Sequence, residues 1–183
     1  MAQFRQKHLL HIEDDEMWQN ELADVLRCSE KMREFYRGQL GTVTSRIDRE
    51  VPEVDDLRRE IERIVREASD QPTIIQIVSG QVARGYLSEY VPGCIISDTN
   101  FPMNGAQTVK WLATHGFEGY PLIGLSTTDI PRLDPVIAHF FMTTNARYFE
   151  KGQFGKQNDA LVEQIIFNVE WAGRMYGKKE KDI

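Results

Sequence analysis

Three carboxylates, a hydroxyl and an ammonium stand at the ends of short apolar runs in this sequence. Leu9-Leu10-His11-Ile12 runs into Glu13 and Asp14, and Ile95-Ile96-Ser97 runs into Asp98. Apolar runs that stop abruptly in charge predict strands buried on both faces and ending at a sheet edge. If these two strands lie parallel, the three acids meet at the carboxyl-terminal rim, where open α/β sheets place their ligands. Crowded carboxylates repel one another, and a cation among them relieves the repulsion. Hard oxygen donors favour Mg2+. Two later runs end in Ser126 and Lys151. A hydroxyl and an ammonium can grip phosphoryl oxygens, and a carboxylate between them can attack phosphorus. Phosphoryl transfer asks mainly for positioning and charge neutralisation, and this set supplies both.

Four of five predicted strands carry these groups to one rim. The apolar and β-branched runs predict them at about 8–12, 73–78, 94–97, 121–125 and 146–150. Helices alternate with the strands. After the first strand, Trp18, Leu22, Val25, Leu26, Met32 and Phe35 recur at mostly helical spacing, which predicts one helix running past Glu30 toward Tyr36 or Leu40. Asp15 and Glu16 suit its first turn, where negative charge meets the helix dipole. A second helix is predicted from Pro52, a residue suited to a first turn, to Ala68. Gly38, Gly41, Thr42, Thr44 and Ser45 separate the two, which predicts an antiparallel helical hairpin as an inserted arm over about 34–71. Further helices are expected over 81–90, 107–115, 135–142 and 158–175. Pro92-Gly93 is read as the turn into the third strand. The alternation predicts a parallel sheet with helices on both faces, in a single domain over 5–177 with a polar tail at 178–183.

Composition excludes several classes. The net charge is −6 over 183 residues, which argues against a nucleic-acid-binding surface. No apolar run approaches the roughly 20 residues of a membrane span, and the N-terminus has no signal-peptide core. Cys28 and Cys94 match no metal or redox spacing, so a cytoplasmic protein with reduced thiols is expected. His8 and His11, three apart on one strand, point to opposite faces and make a poor metal pair.

In order along the chain, the motifs resemble a response-regulator receiver domain of two-component signalling. Ile12-Glu13-Asp14-Asp15 is similar to the family's acidic pair. Ile96-Ser97-Asp98-Thr99-Asn100-Phe101-Pro102 with Gly105 is similar to its phosphoacceptor segment. Leu125-Ser126-Thr127 resembles the strand-end Ser/Thr, and Tyr148-Phe149-Glu150-Lys151 the aromatic and lysine. The resemblance implies a flavodoxin-like fold with strand order 2-1-3-4-5. It implies that Asp98 accepts a phosphoryl group from a phosphohistidine on a sensor histidine kinase or a histidine phosphotransfer protein. It implies Mg2+ held by Glu13, Asp14, Asp98 and the backbone carbonyl of Asn100. Lys151 would pair with a phosphoryl oxygen, Ser126 would swing in to bond another, and Tyr148 would follow. That movement would remodel the face made by helix 135–142, strand 146–150 and helix 158–175, and present it to a downstream protein target. In the family the residues matching Asn100 and Thr128 tune acyl-phosphate hydrolysis. Two departures stand out. Gly105 is one residue closer to Asp98 than the family spacing, and Gly152 replaces a proline held cis. A cis non-proline bond costs about 2.5–4 kcal/mol, so a trans bond is expected there.

The implied protein is a stand-alone receiver, not a turnover enzyme, whose output is protein contact. One alternative is a pseudo-receiver that binds proteins without phosphorylation. Another is an Mg2+-dependent phosphohydrolase like the haloacid dehalogenases. It ranks last, because that family wants an acid where Asn100 stands and no cap domain is visible. On the last helix Val162, Ile165, Ile166, Val169 and Ala172 form the expected core face. Phe167, Trp171 and Met175 form a second stripe, either wide core or a surface for a partner or a homodimer.

Overall fold

A computed structural model describes residues 2–48, 53–98, 111–112, 114, 120, 122–127, 135, 139, 146–151, 155 and 158–177. The elements in order are β1 (Gln3–Ile12), α1 (Glu16–Cys28), α2 (Glu30–Tyr36), β2 (Gly41–Thr44), α3 (Val54–Ala68), β3 (Thr73–Ile77), α4 (Gly80–Glu89), β4 (Tyr90–Asp98), β5 (Ile123–Ser126), β6 (Arg147–Glu150) and α5 (Asn158–Tyr176). The six strands form one sheet in the order β2-β3-β1-β4-β5-β6, and every pairing is parallel. Without β2, this is the flavodoxin-like order expected of the five strands.

Successive residues in the central strands face opposite layers, as the period of two requires. Leu9, Ile74 and Ile96 pack with Leu22, Leu26 and Met32 of the first two helices and Ile165 of α5. Leu10, Ile75 and Ile95 pack with Ile64 of α3 and Val82 and Tyr86 of α4. Strands covered on both sides read as the near-continuous apolar runs seen in the sequence. Among the described residues no helix is long and apolar enough to cross a membrane.

Three expectations need correction. The helix after β1 is two helices. Ser29 stands between them with φ −68° and ψ 120°, and its hydroxyl accepts from the Met32 amide at 3.3 Å. The apolar stripe crosses this break because Leu26 and Met32 serve the same core cluster. The inserted arm is also not a helical hairpin. Its middle, read as a break, forms β2, so the sheet has six strands where five were expected. Val43 is the buried residue of that strand, between two β-branched threonines, so an edge strand with one apolar contact left no periodic signal. Pro52 lies outside the described residues. Finally, Pro92 and Gly93 lie inside β4 and form no turn before it. The β1–β4 register shifts between Arg5 and Leu9, and a Cβ on Gly93 would sit 2.1 Å from the Gln6 carbonyl oxygen. The strand irregularity thus requires glycine, and proline is tolerated at such sites.

The added edge strand is closed off by α3. The Gly41 amide donates to the Pro72 carbonyl and the Ser45 amide to the Gln76 carbonyl, each at 2.8 Å. Parallel ladders alternate, so Gly41, Val43 and Ser45 turn toward β3 while Thr42, Thr44 and Arg46 turn outward. Outward groups invite pairing with another chain. Here the Thr44 carbonyl accepts from Arg63 Nη2 at 2.8 Å, and the Arg46 amide donates to Glu60 Oε1 at 2.5 Å. Glu60 and Arg63 are buried and paired with each other at 2.7 Å. Burial works against the Glu60 charge, but Arg63 and the Arg46 amide outweigh it and hold the carboxyl below its usual range.

Removing one partner of this buried pair leaves the other uncompensated. Glu60→Ala or Arg63→Ala should each cost about 3 kcal/mol, read from urea unfolding midpoints. Because the Glu60 pKa is depressed, its stabilisation is complete above the ordinary carboxylate range and fades as pH falls through the folded value. Glu60→Gln should remove that acid-side slope.

Candidate functional site

The first acid is held by the turn that leaves β1. The Glu13 amide donates to the Ile77 carbonyl at 3.0 Å and extends the ladder one residue past the strand. Its own carbonyl accepts a hydrogen bond from the Gln19 side-chain amide. Glu13 Oε1 accepts from the Asp15 amide at 3.2 Å, while Asp15 caps α1 by accepting from the Met17 amide at 2.9 Å. Asp15, expected as a negative charge at the start of this helix, is its N-cap. Glu13 is left buried and pointed into the rim.

Asp98 ends β4, the strand beside β1, and is 5% exposed. The chain leaves β1 toward β2 and β3 but leaves β4 toward β5 and β6. Divergence between adjacent strands opens a crevice at their carboxyl ends, and ligands of open α/β sheets bind there. Glu13, Asp14 and Asp98 each offer one oxygen, all within 4.8 Å of one another. Lys151 follows β6, two strands from β4, which at usual strand spacing is about 10 Å away. Its long side chain crosses β5. The ammonium lies 2.5 Å from Glu13 Oε2 and 3.3 Å from Asp98 Oδ2, and 5.4 Å from the centre of the Trp18 ring.

Ser126 is buried at the end of β5, one residue past the Leu125 that pairs with Asp98. Tyr148 lies in β6 and packs against the core cluster under α3 and α4. Asn100, with the carbonyl expected at the cation, lies outside the described residues, as do Gly105, Thr128 and Gly152.

The electrostatics follow from crowding. Burial, the largest cause, and the Asp98 charge push the Glu13 carboxyl up to about 7, against the pull of Lys151. Burial likewise raises Asp14, and Asp98 adds to it. Three carboxylates facing one ammonium leave negative charge unbalanced. A divalent cation supplies that balance, and an all-oxygen donor set fits a hard one. Glu13, Asp14 and Asp98 are the residues that could hold it.

Sequence reasoning passed over four residues here. Gln19 holds the Glu13 carbonyl, and Gln76 donates to the Gln19 carbonyl at 2.8 Å. Trp18 lies against Lys151. His11 is fully buried, and among the described residues neither ring nitrogen has a hydrogen-bond partner. Its burial, with Lys151 nearby, lowers its pKa to about 3 and keeps it neutral. The available signal was polarity out of place: a histidine in Leu9-Leu10-His11-Ile12 and a glutamine in Thr73-Ile74-Ile75-Gln76-Ile77.

No model of a protein family matches the chain, and no curated protein matches it. Among solved structures it is similar to the Mn(2+)-bound form of response regulator Rcp1, with 18% identity and a TM-score of 0.48, covering 86% of this chain and 90% of that one. It is also similar to a fusion carrying a yeast Spc42 trimeric coiled-coil segment, with 13% identity and a TM-score of 0.51, covering 100% of this chain and 86% of that one. The second likeness bears on the fold alone.

The raised Glu13 pKa sets a pH dependence. Between its unfolded value, 4.5, and about 7 the folded chain binds more protons than the unfolded one. The contribution is therefore complete at the acid end and is lost as pH rises through about 7, a decline of about 3 kcal/mol. Urea midpoints in chelator across this range should show the decline. Glu13→Gln should flatten it, and a divalent cation, which prefers the ionised carboxylate, should offset it.

Proposed function

We propose that this chain is a receiver-type signalling protein that accepts a phosphoryl group on Asp98 and acts through protein contacts. One observation carries the reading. Carboxylates from β1 and β4 and an ammonium from beyond β6 converge at the topological switch point, with Lys151 bridging Glu13 and Asp98. The motif resemblance supplies the direction of the chemistry.

In this reading one Asp98 carboxylate oxygen attacks the phosphorus of a phosphohistidine. The phosphorus–nitrogen bond breaks, the imidazole leaves and takes up a proton, and an acyl phosphate forms. Mg2+ held by Glu13, Asp14, Asp98 and the Asn100 carbonyl would neutralise charge on the phosphoryl oxygens. Lys151 exchanges its contact with Asp98 for a phosphoryl oxygen, a charge-assisted hydrogen bond. Ser126, at the end of the neighbouring strand, donates to another oxygen, and Tyr148 follows it inward. The new dianion thus biases a surface that a downstream partner reads. The donor is a sensor histidine kinase or a histidine phosphotransfer protein. The chain labels once per molecule and assists its own phosphorylation and dephosphorylation, without turnover on other substrates. The unpaired thiols of Cys28 and Cys94 fit the reducing cytoplasm.

Incubation with Mg2+ and acetyl phosphate should add one phosphoryl group to the wild type and none to Asp98→Asn, read by intact mass. An unlabelled wild type that also gives no Mg2+-dependent response to beryllofluoride would sink this reading and favour the pseudo-receiver. Sustained turnover of small phosphate esters would instead make it an enzyme.

A further inference from the structure

We infer that Thr44, exposed at the sheet edge, and the buried Gln76 and Gln19 form a positioning chain through which the inserted edge strand sets cation affinity at Glu13. The inference rests on the cation reading of the acidic site. The Thr44 hydroxyl donates to Gln76 Oε1 at 2.9 Å. Gln76 Nε2 donates to the Gln19 carbonyl at 2.8 Å. Gln19 Nε2 donates to the Glu13 carbonyl. The chain therefore passes from β2 through β3 and α1 to the acidic turn.

Its direction is determined chemically. A backbone carbonyl only accepts, so the Glu13 carbonyl requires the amide nitrogen of Gln19, and the Gln19 carbonyl requires that of Gln76. Gln76 then presents its oxygen to the inserted strand, and the Thr44 hydroxyl is the donor it meets. Both glutamines are almost fully buried, 5% exposed for Gln19 and 4% for Gln76. A buried amide that loses one partner bears the desolvation cost alone, so displacement at one end is felt at the other.

The outer end is pinned by the insertion. The Thr44 carbonyl accepts from Arg63 of α3, and the Ser45 amide donates to the Gln76 carbonyl. The inner end is the turn that aims Glu13 and Asp14 into the crevice. Partners that orient ligands from behind commonly change metal affinity by about 10–100-fold when removed. These three residues touch no reacting atom and act through the turn. Coupling is reciprocal, so a bound cation should also hold β2 more firmly.

Mn2+ binding to the full chain, followed by electron paramagnetic resonance of the free ion near pH 8, tests this. Gln19→Met and Gln76→Met keep side-chain length and remove the amide. Each should weaken Mn2+ about tenfold. The double variant should be no weaker than the worse single, because both break one chain. Thr44→Val, which removes only the hydroxyl at the sheet edge, should weaken binding by a smaller factor. In the wild type Mn2+ should slow hydrogen exchange at the Ser45 amide, and Thr44→Val should remove that protection. Wild-type affinity in all three variants, even with lowered melting temperatures, would leave the chain a merely structural role and overturn the inference alone. Multiplying effects in the double variant would also overturn it. Failure of the wild type to bind Mn2+ or Mg2+ would overturn the cation reading and this inference with it.

Discussion

Like charge held at close range is the constraint on which the rest of this structure depends. Glu13, Asp14 and Asp98 share one crevice, and the Lys151 ammonium is the buried countercharge that reaches two of them. Such a cluster cannot persist on flexible chain. It needs β1 and β4 side by side, a capped helix starting at once after β1, and a third strand end that delivers lysine from the sheet's far side. The raised Glu13 pKa follows from its burial first and from the neighbouring Asp98 charge second. A site tuned this way is poised to take up positive charge.

The insertion between α1 and β3 meets a different constraint. A strand added to the edge of a parallel sheet exposes backbone donors and acceptors. Glu60 and Arg63 satisfy those at Thr44 and Arg46 with a buried ion pair. Such a pair gains little net stability against an apolar alternative, but it closes the edge and sets where β2 ends. The polar row beneath α1, from Thr44 through Gln76 and Gln19, joins this edge to the acidic turn. Both features place polar groups where apolar ones would pack more simply, and both converge on Thr44.

The second stripe on the last helix, read as either wide core or a partner surface, has a mixed outcome. Phe167 and Met175 are exposed, while Trp171 packs edge-on against Tyr120 and contacts Tyr176. The stripe that looked uniform at four-residue spacing thus divides between core and solvent. Ser29 shows the opposite case, where an unbroken stripe spans two helices because a cap interrupts the backbone without redirecting the apolar face.

The sequence by itself determined the alternation of strands and helices and the identity of the acids, serine and lysine at strand ends, while the flavodoxin-like order was implied by the motif resemblance. Those features are local: an apolar run that stops in charge states where a buried strand ends. Tertiary structure alone decided that 41–44 is a strand, that Pro92 and Gly93 lie within one, and that Gln19, Gln76 and Trp18 belong to the site. β2 has almost no local signal because its stability comes from one neighbour, β3, and from α3 reaching over its edge. The glutamines looked like irregularities in apolar stripes because their partners lie on other elements. Hydrogen bonds between residues as far apart as Gln19 and Gln76 leave no period in the chain, and only packing brings them together.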